Sequence, residues 1–288
     1  MEYFLFIAIF VAIYGILALS LNLITGYTGL ISLAHAAFFG IGAYTVAVLT
    51  TTFGLNFFFA LAIGIVYALA LSFIVGVIFS RLGGDYYVLG TVGFNYIVWT
   101  VMLNWDSVTH GPLGVSNIPR PAFFGLLFNS NEKFFLLALS IFVIVYLFSR
   151  FLVRSSFGRI LKAIREDERA IAVFGYRTLW YKVLVFMIAA AAASVAGGLY
   201  ASYIAYIDPT TFMVAESIFI LSIVIVGGLA NLEGSILGAV FLVLLPEALR
   251  FVGFSADIAA QMRQAIYGLL LILAMLYRPQ GLIGEYKL

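Results

Sequence analysis

The sequence predicts an all-α fold, a polytopic bundle of about nine membrane-spanning helices. Hydrophobic residues fill 64% of its 288 positions and charged residues only 10%. Soluble domains carry roughly 25% charged residues, so this chain has too little charge to coat a surface facing water. At about 20 residues per span, the apolar complement supplies about nine helices and leaves the remainder for connections. Lipid offers backbone amides no partner, so each apolar window has to be helical to satisfy its own.

The windows follow one another at residues 3–24, 36–52, 57–79, 86–103, 134–153, 183–204, 212–229, 236–252 and 258–277. The first lacks a basic flank and is too long for the apolar core of a signal peptide, so it is expected to be retained as a span. Placing the N-terminus outside and the C-terminus in the cytoplasm puts 11 of the 15 Lys and Arg residues on the cytoplasmic side. That split obeys the positive-inside rule, and the reverse orientation would violate it. The whole chain, 1–288, is then one transmembrane domain.

Two connections are long. Residues 104–133 form an outer loop, irregular because of Gly111, Pro112, Gly114, Pro119 and Pro121, with a short interfacial helix expected near Ala122–Phe128. Residues 154–182 are the largest cytoplasmic piece. Within it, 157–174 is helix-compatible and Gly175 is a suitable C-cap. Ile160, Leu161, Ile164, Ile171 and Phe174 alternate there with many charges. Two readings fit: a solvated surface helix, or a docking element for a cytoplasmic partner. A shorter similarity links Gly29-Leu30-Ile31-Ser32-Leu33 with Gly228-Leu229-Ala230-Asn231-Leu232, either an internal repeat or a chance match.

Candidate functional residues are few. Gly26-Tyr27-Thr28-Gly29 interrupts a long apolar stretch, and Asn22, Thr25, Thr28, Ser32 and His35 surround it. Broken backbone at membrane depth is tolerated only inside protein or along a water-filled path, so this cluster is a candidate lining for a translocation path. A plain cytoplasmic turn is the competing reading, and His35 fits equally a hydrogen bond between helices. Asp85, Asn95 and Glu216 are further pore candidates. Glu247 and Arg250, three apart on one helix face, suit a structural ion pair. Gly234 and Gly238 have the spacing of a close helix contact.

Several chemistries are excluded. Cys is absent and the two histidines lie far apart, so no thiolate or histidine metal cluster, and no cofactor, is expected. No GxxxxGK[ST] loop occurs, so ATP hydrolysis by that route is not this chain's work, and neither an HExxH motif nor a defensible Ser/His/Asp set is present. A secondary transporter is the better alternative, but ion-coupled carriers place more ionisable groups at mid-depth than are found here.

One stretch narrows the field. Residues 21–44, LNLITGYTGLISLAHAAFFGIGAY, closely resemble the opening of LivM-type permeases, the membrane subunits of ABC importers for branched-chain amino acids. Further likenesses follow in the family's order at 81–86, 104–107, 163–168, 226–229 and 278–282. The resemblance implies a second permease subunit, two cytoplasmic ATP-binding subunits, an extracytoplasmic substrate-binding protein, a lipid bilayer around the cell (inner) membrane protein, and no nucleic acid. It also implies a cytoplasmic loop that couples ATPase closure to pore opening. Arg165, Glu166, Asp167, Ala170 and Gly175 are the candidates for that role, although only one Ala and the Gly match the family's Glu-Ala-Ala…Gly pattern. Many family members carry Glu where this chain has Asn95, which leaves urea, short amides or another small polar solute as alternative substrates.

Overall fold

The computed structural model describes residues 2–123, 126–250, 266, 268–269, 272–273, 276 and 280–283. These form an almost wholly helical bundle. α1 (Glu2–Thr28), α2 (His35–Thr51), α3 (Phe57–Phe79) and α4 (Asp85–Asn104) come first. A short α5 (Asp106–Thr109) opens the long loop, followed by α6 (Asn131–Arg154), α7 (Ser156–Val173), α8 (Thr178–Ile204), α9 (Val214–Gly227) and α10 (Leu232–Arg250). Among the described residues, α1, α3, α4, α6 and α8 are long and apolar enough to cross a membrane. α2, α9 and the Leu232–Pro246 part of α10 are shorter apolar helices. Of the ninth window only 266, 268–269, 272–273 and 276 are among the described residues, and the side chains of the Glu247–Arg250 pair lie outside them.

α1, α2 and α8 make the centre. Two glycines set the crossing of α2 and α8: a Cβ on Gly42 would strike the Ser194 carbonyl, and one on Gly197 would strike the Phe39 carbonyl. Close backbone approach of this kind is how helices gain contact where lipid removes the hydrophobic drive to associate. The expected contact at Gly234 and Gly238 is present too, since these glycines lie against the backbone of Gly227 and Ile223 on α9.

The bundle has two distinguishable ends. At one, β1 (Val115–Ser116) pairs antiparallel with β4 (Tyr206–Ile207), Asn56 Nδ2 donates to the Ala122 carbonyl at 2.7 Å, and Asn131 Nδ2 donates to Glu2 at 3.1 Å. At the other, α7 lies against the end of α1, and Leu282 N donates to the Val226 carbonyl at 2.9 Å. The interfacial helix expected near Ala122–Phe128 is not formed. Instead β2 (Ala122–Phe123) pairs with β3 (Leu126–Leu127). Pro119 and Pro121 hold the approach extended, and the Asn56 bond fixes the first strand, so the segment enters as a strand.

The break near Gly26 also lies later than the sequence suggested. α1 runs unbroken through Thr28, and the irregular segment is 29–34, opened by Gly29 at φ +74°. Gly26 is helical, and a Cβ there would collide with Asn22 and with the Ala230 amide. Its small size serves packing. The similar pentapeptides both form connectors: 29–34 joins α1 to α2, and 228–231 joins α9 to α10, opening with Gly228 at φ 124°.

Candidate functional site

The second connector is held against α1 by Asn22. Its Nδ2 donates to the Asn231 carbonyl at 2.8 Å and to Ser235 Oγ at 2.6 Å, while its Oδ1 accepts from the Ala230 amide at 3.0 Å. A fully buried carboxamide is tolerated here because donor and acceptor are both satisfied. The 29–34 connector has no helical bonds of its own, so side chains serve its backbone. Thr25 Oγ1 donates to the Leu30 carbonyl at 3.2 Å, Leu33 N donates to Thr91 Oγ1 at 3.1 Å, and Ser32 bonds the Tyr87 hydroxyl. Thr28 bonds back to the Ile24 carbonyl within α1.

The connector climbs back into the bundle. α2 therefore begins inside it, with His35 Nε2 2.9 Å from Ser20 Oγ, two turns before the end of α1. The chain enters α9 in the mirror-image way. From β4 it descends through a 3-10 turn, Pro209–Phe212, capped by Asp208 Oδ1, which accepts from Thr210 N at 2.7 Å and Thr211 N at 3.3 Å. Phe212 packs among Phe39, Tyr44 and Tyr200, and α9 then starts opposite the middle of α1, where Tyr14 Oη donates to Glu216 at 2.7 Å.

The starts of these two short helices meet. Ala36 N donates to Ser217 Oγ at 2.9 Å. Ser217 Oγ donates to Asn95 Oδ1 at 3.5 Å, and Asn95 Nδ2 donates to the Phe212 carbonyl at 3.3 Å. The result is a polar joint of half-helix N-termini, each with orphan amides, deep within an apolar bundle. Directly beyond it, a hollow of about 170 Å³ opens between α4 and α9, lined by Tyr96, Trp99, Met213, Val214 and Ala215.

The residues expected around one turn thus divide between two places. Asn22, Thr25 and Ser32 brace the connectors, Thr28 bonds back within α1, and His35 and Asn95 belong to the joint; all six are buried. Ser20 and Ser217, which complete the joint, carried no signal in the sequence beyond being polar within apolar windows.

α7 is the second candidate site. Asp167 is not helical (φ −155°, ψ 98°), so α7 is two helices in tandem. Its Oδ1 accepts from Arg169 N at 2.9 Å and Ala170 N at 3.0 Å, the geometry of an N-cap for the second piece. An Asp followed by a short helical run is a legible cap signal, masked here by the continuous helical spacing on both sides. Before the break, Arg165 donates to the Gly26 carbonyl, and Lys162 Nζ sits 5.5 Å over the Tyr27 ring. After it, Glu168 meets Lys182 at 2.7 Å and accepts from Thr178 Oγ1 at 3.0 Å. An open groove of about 640 Å³ follows the break, bordered by Ile164 to Arg169, Ala172 and Thr178. Gly175, at φ +88° and with open space where a Cβ would stand, ends the helix beside exposed Val173 (87%), Phe174 (78%) and Tyr176 (45%). Glu166 and Asp167 are exposed as well.

Comparison with known proteins decides what kind of bundle this is. The family described as "Branched-chain amino acid transport system / permease component" matches residues 3–275. The chain belongs to this permease family. Among its relatives, the high-affinity branched-chain amino acid transport system permease protein LivM of Escherichia coli K12 is 36% identical over 96% of this chain and 69% of its own length. The probable branched-chain amino acid transport permease protein LivM of Methanocaldococcus jannaschii is 26% identical over 97% of this chain and 92% of its own. The permease protein LivH of Escherichia coli K12 shares 31% identity over 47% of this chain and 42% of its own. No solved structure matches the chain. In a membrane permease, the joint and the split α7 are the two features that distinguish this bundle from a simple set of crossing helices.

Proposed function

We propose that this permease is one of two membrane subunits of an ABC importer in the cell membrane, and that it passes branched-chain amino acids delivered from outside by a binding protein. The relatives' names support the substrate class. Nine spans with the N-terminus outside put the α7 end of the bundle in the cytoplasm, where the basic residues concentrate, and the β1–β4 end outside. In that orientation 104–133 is the outer loop and 154–182 the cytoplasmic one.

The observation that carries the reading is the exposed tip of α7. A short capped helix presents Val173 and Phe174 away from the bundle, with Tyr176 edge-on to Tyr181 of α8 and Glu166, Asp167 and Arg169 around its base. Apolar anchors with a charged rim suit docking into a groove on a second protein, here an ATP-binding subunit. Glu166, Asp167, Ala170 and Gly175 then set the shape of the docking segment, while Arg165 holds its base to the end of α1, behind the docking tip. Asp167 does so through its cap, and Gly175 through a backbone conformation that a β-branched residue tolerates poorly.

At the other candidate site, the path runs beside the joint, bordered by Asn22, Thr25, Thr28, Ser32, His35 and Asn95. Half-helices that end at mid-depth are where transporters commonly place substrates. The second permease subunit covers the α4 side. The exposed face of α4 sets Tyr86, Gly93, Tyr96, Thr100 and Asn104 among Leu89, Ile97 and Val101, a mixture that suits a protein neighbour.

The test uses the assembled complex. Phe174→Ser should remove at least 90% of the co-purifying ATPase and of radiolabelled leucine uptake, while the permease still inserts. A cysteine at position 174 in this cysteine-free chain should react with an impermeant maleimide in inverted vesicles and not in intact cells. Normal uptake by the serine variant, or labelling from outside, would remove the docking reading.

A further inference from the structure

The two pieces of α7 are held differently: the first lies against α1 and, through the Phe157 ring 5.5 Å from that of Tyr181, also against α8, whereas the second is tied to α8. Ahead of Asp167, Arg165 donates to the Gly26 carbonyl at the end of α1, and its stem lies against Gly29, where an added Cβ would be 3.0 Å from Arg165 Cγ. Leu161, fully buried, packs with Leu19, Leu23 and Tyr27 of α1. Beyond Asp167, the bond of Glu168 to the buried Lys182 ties the second piece to the first turns of α8. The residue between the two ties is the one whose backbone leaves the helical region. A rigid helix with a single attachment would transmit force to one place. A jointed one with two attachments transmits it as a relative displacement.

We infer that Arg165 is a positioning residue for transport, which fastens the first piece of α7 to the α1–α2 connector so that movement of the exposed tip is delivered to the joint. The inference rests on the tip being the ATPase contact. The contacts form a continuous route: Arg165 to the end of α1, Ser20 of α1 to His35, and Ala36 to Ser217 at the start of α9. Gly26, which receives the Arg165 bond, is also pressed against the Ala230 amide in the second connector. Arg165 therefore acts at the end of α1, which leads into the first connector and touches the second. The Glu168–Lys182 pair supplies the opposing anchor, so the tip works against α8 to move α1. Packed elements of this kind shift between discrete arrangements and do not deform smoothly, which lets a small push be passed on.

A helix-capping role alone would also place an arginine near the α1 carbonyls. The two roles separate by measurement. Arg165→Gln, in the complex with ATPase, second permease and binding protein reconstituted in liposomes, should keep the ATPase bound. It should raise the number of ATP molecules hydrolysed per leucine imported at least tenfold. Arg165→Lys restores one donor and should bring that ratio within threefold of the native value. The double variant Glu168→Gln/Lys182→Met cuts the opposing anchor without stranding a charge, and should raise the ratio as Arg165→Gln does.

An unchanged ratio in Arg165→Gln and in the double variant overturns the inference and leaves Arg165 a cap. Loss of the ATPase from Arg165→Gln overturns it too, making Arg165 a docking contact. Should Arg165→Gln fail to accumulate in the membrane, the double variant and Arg165→Lys decide by the same ratio. Phe174→Ser reports separately on docking: if that variant keeps both ATPase and uptake, the docking reading fails, whatever Arg165 does.

Discussion

α1 and α6 are both long, apolar and free of charge in their central turns, yet they occupy opposite environments. The apolar window of α1 is 56% buried in the bundle, and that of α6 only 11%. In water such a difference would be written as a hydrophobic face against a polar one. In lipid both sides of a helix are apolar, so hydrophobicity does not tell centre from rim. Hydrogen-bonding side chains and glycines do. α1 carries Ser20, Asn22, Thr25 and Thr28, all buried, whereas α6 shows Leu136, Ile144, Leu147 and Phe151 to its surroundings. The centre of this permease is held by polar bonds and backbone contact, and its rim by solvation in acyl chains.

The largest effect should come from the glycine crossing of α2 and α8. Gly197→Leu puts a branched side chain where even a Cβ meets the Phe39 carbonyl, and neither backbone can yield without opening the centre. The expected loss is about 3 kcal/mol or more. Size-exclusion profiles in mild detergent should show no monodisperse permease. A stable, monodisperse Gly197→Leu protein would mean that α2 and α8 do not touch as closely as the centre requires.

Asn22→Leu comes next. Leucine is close in size, but it leaves the Ala230 amide without its acceptor and deprives Ser235 and the Asn231 carbonyl of a donor. Interhelical polar bonds in membranes contribute on the order of 0.6–2 kcal/mol, so losing this group should cost about 2 kcal/mol. A drop in thermal midpoint in detergent would register it. An unchanged midpoint would show that the second connector holds to α1 without its carboxamide clasp.

That same contrast explains which parts of the molecule were legible beforehand. The apolar helices were, because long unbroken apolar runs have to satisfy their own amides: 57–79 coincides with α3, and the windows at 36–52 and 86–103 differ from α2 and α4 by single residues at each end. The end of the α7 helix at Gly175 was legible as well. Tertiary choices were not. Gly26 looked like a breaker because glycine serves both turns and close packing, and only the proximity of Ala230 decides between them. The hairpin at Ala122–Leu127 depends on Asn56, 66 residues away. At the joint, Asn95 and His35 were visible as polar groups in apolar windows. Their connection through Ser217 joins residues 122 and 181 positions apart, and local pattern holds no trace of such a pairing.

The smallest effect belongs to the rim and is the sharpest test of it. Ile144 is 64% exposed on α6. In a detergent micelle its side chain exchanges contact with protein for contact with alkyl chains of the same polarity, so truncation leaves no cavity and no stranded group. Ile144→Ala should therefore change stability by no more than about 0.5 kcal/mol, the usual range for surface positions away from special features. The measurement is worth making twice, on the isolated permease and on the assembled complex. Insensitivity in both would keep α6 against lipid and leave the Gly93–Asn104 side of α4 as the face for the second subunit. A loss of about 2 kcal/mol confined to the complex would be a cavity cost, which acyl chains do not impose but a close-packed protein neighbour does. In that case α6 is the subunit contact, and the Gly93–Asn104 side of α4 is not.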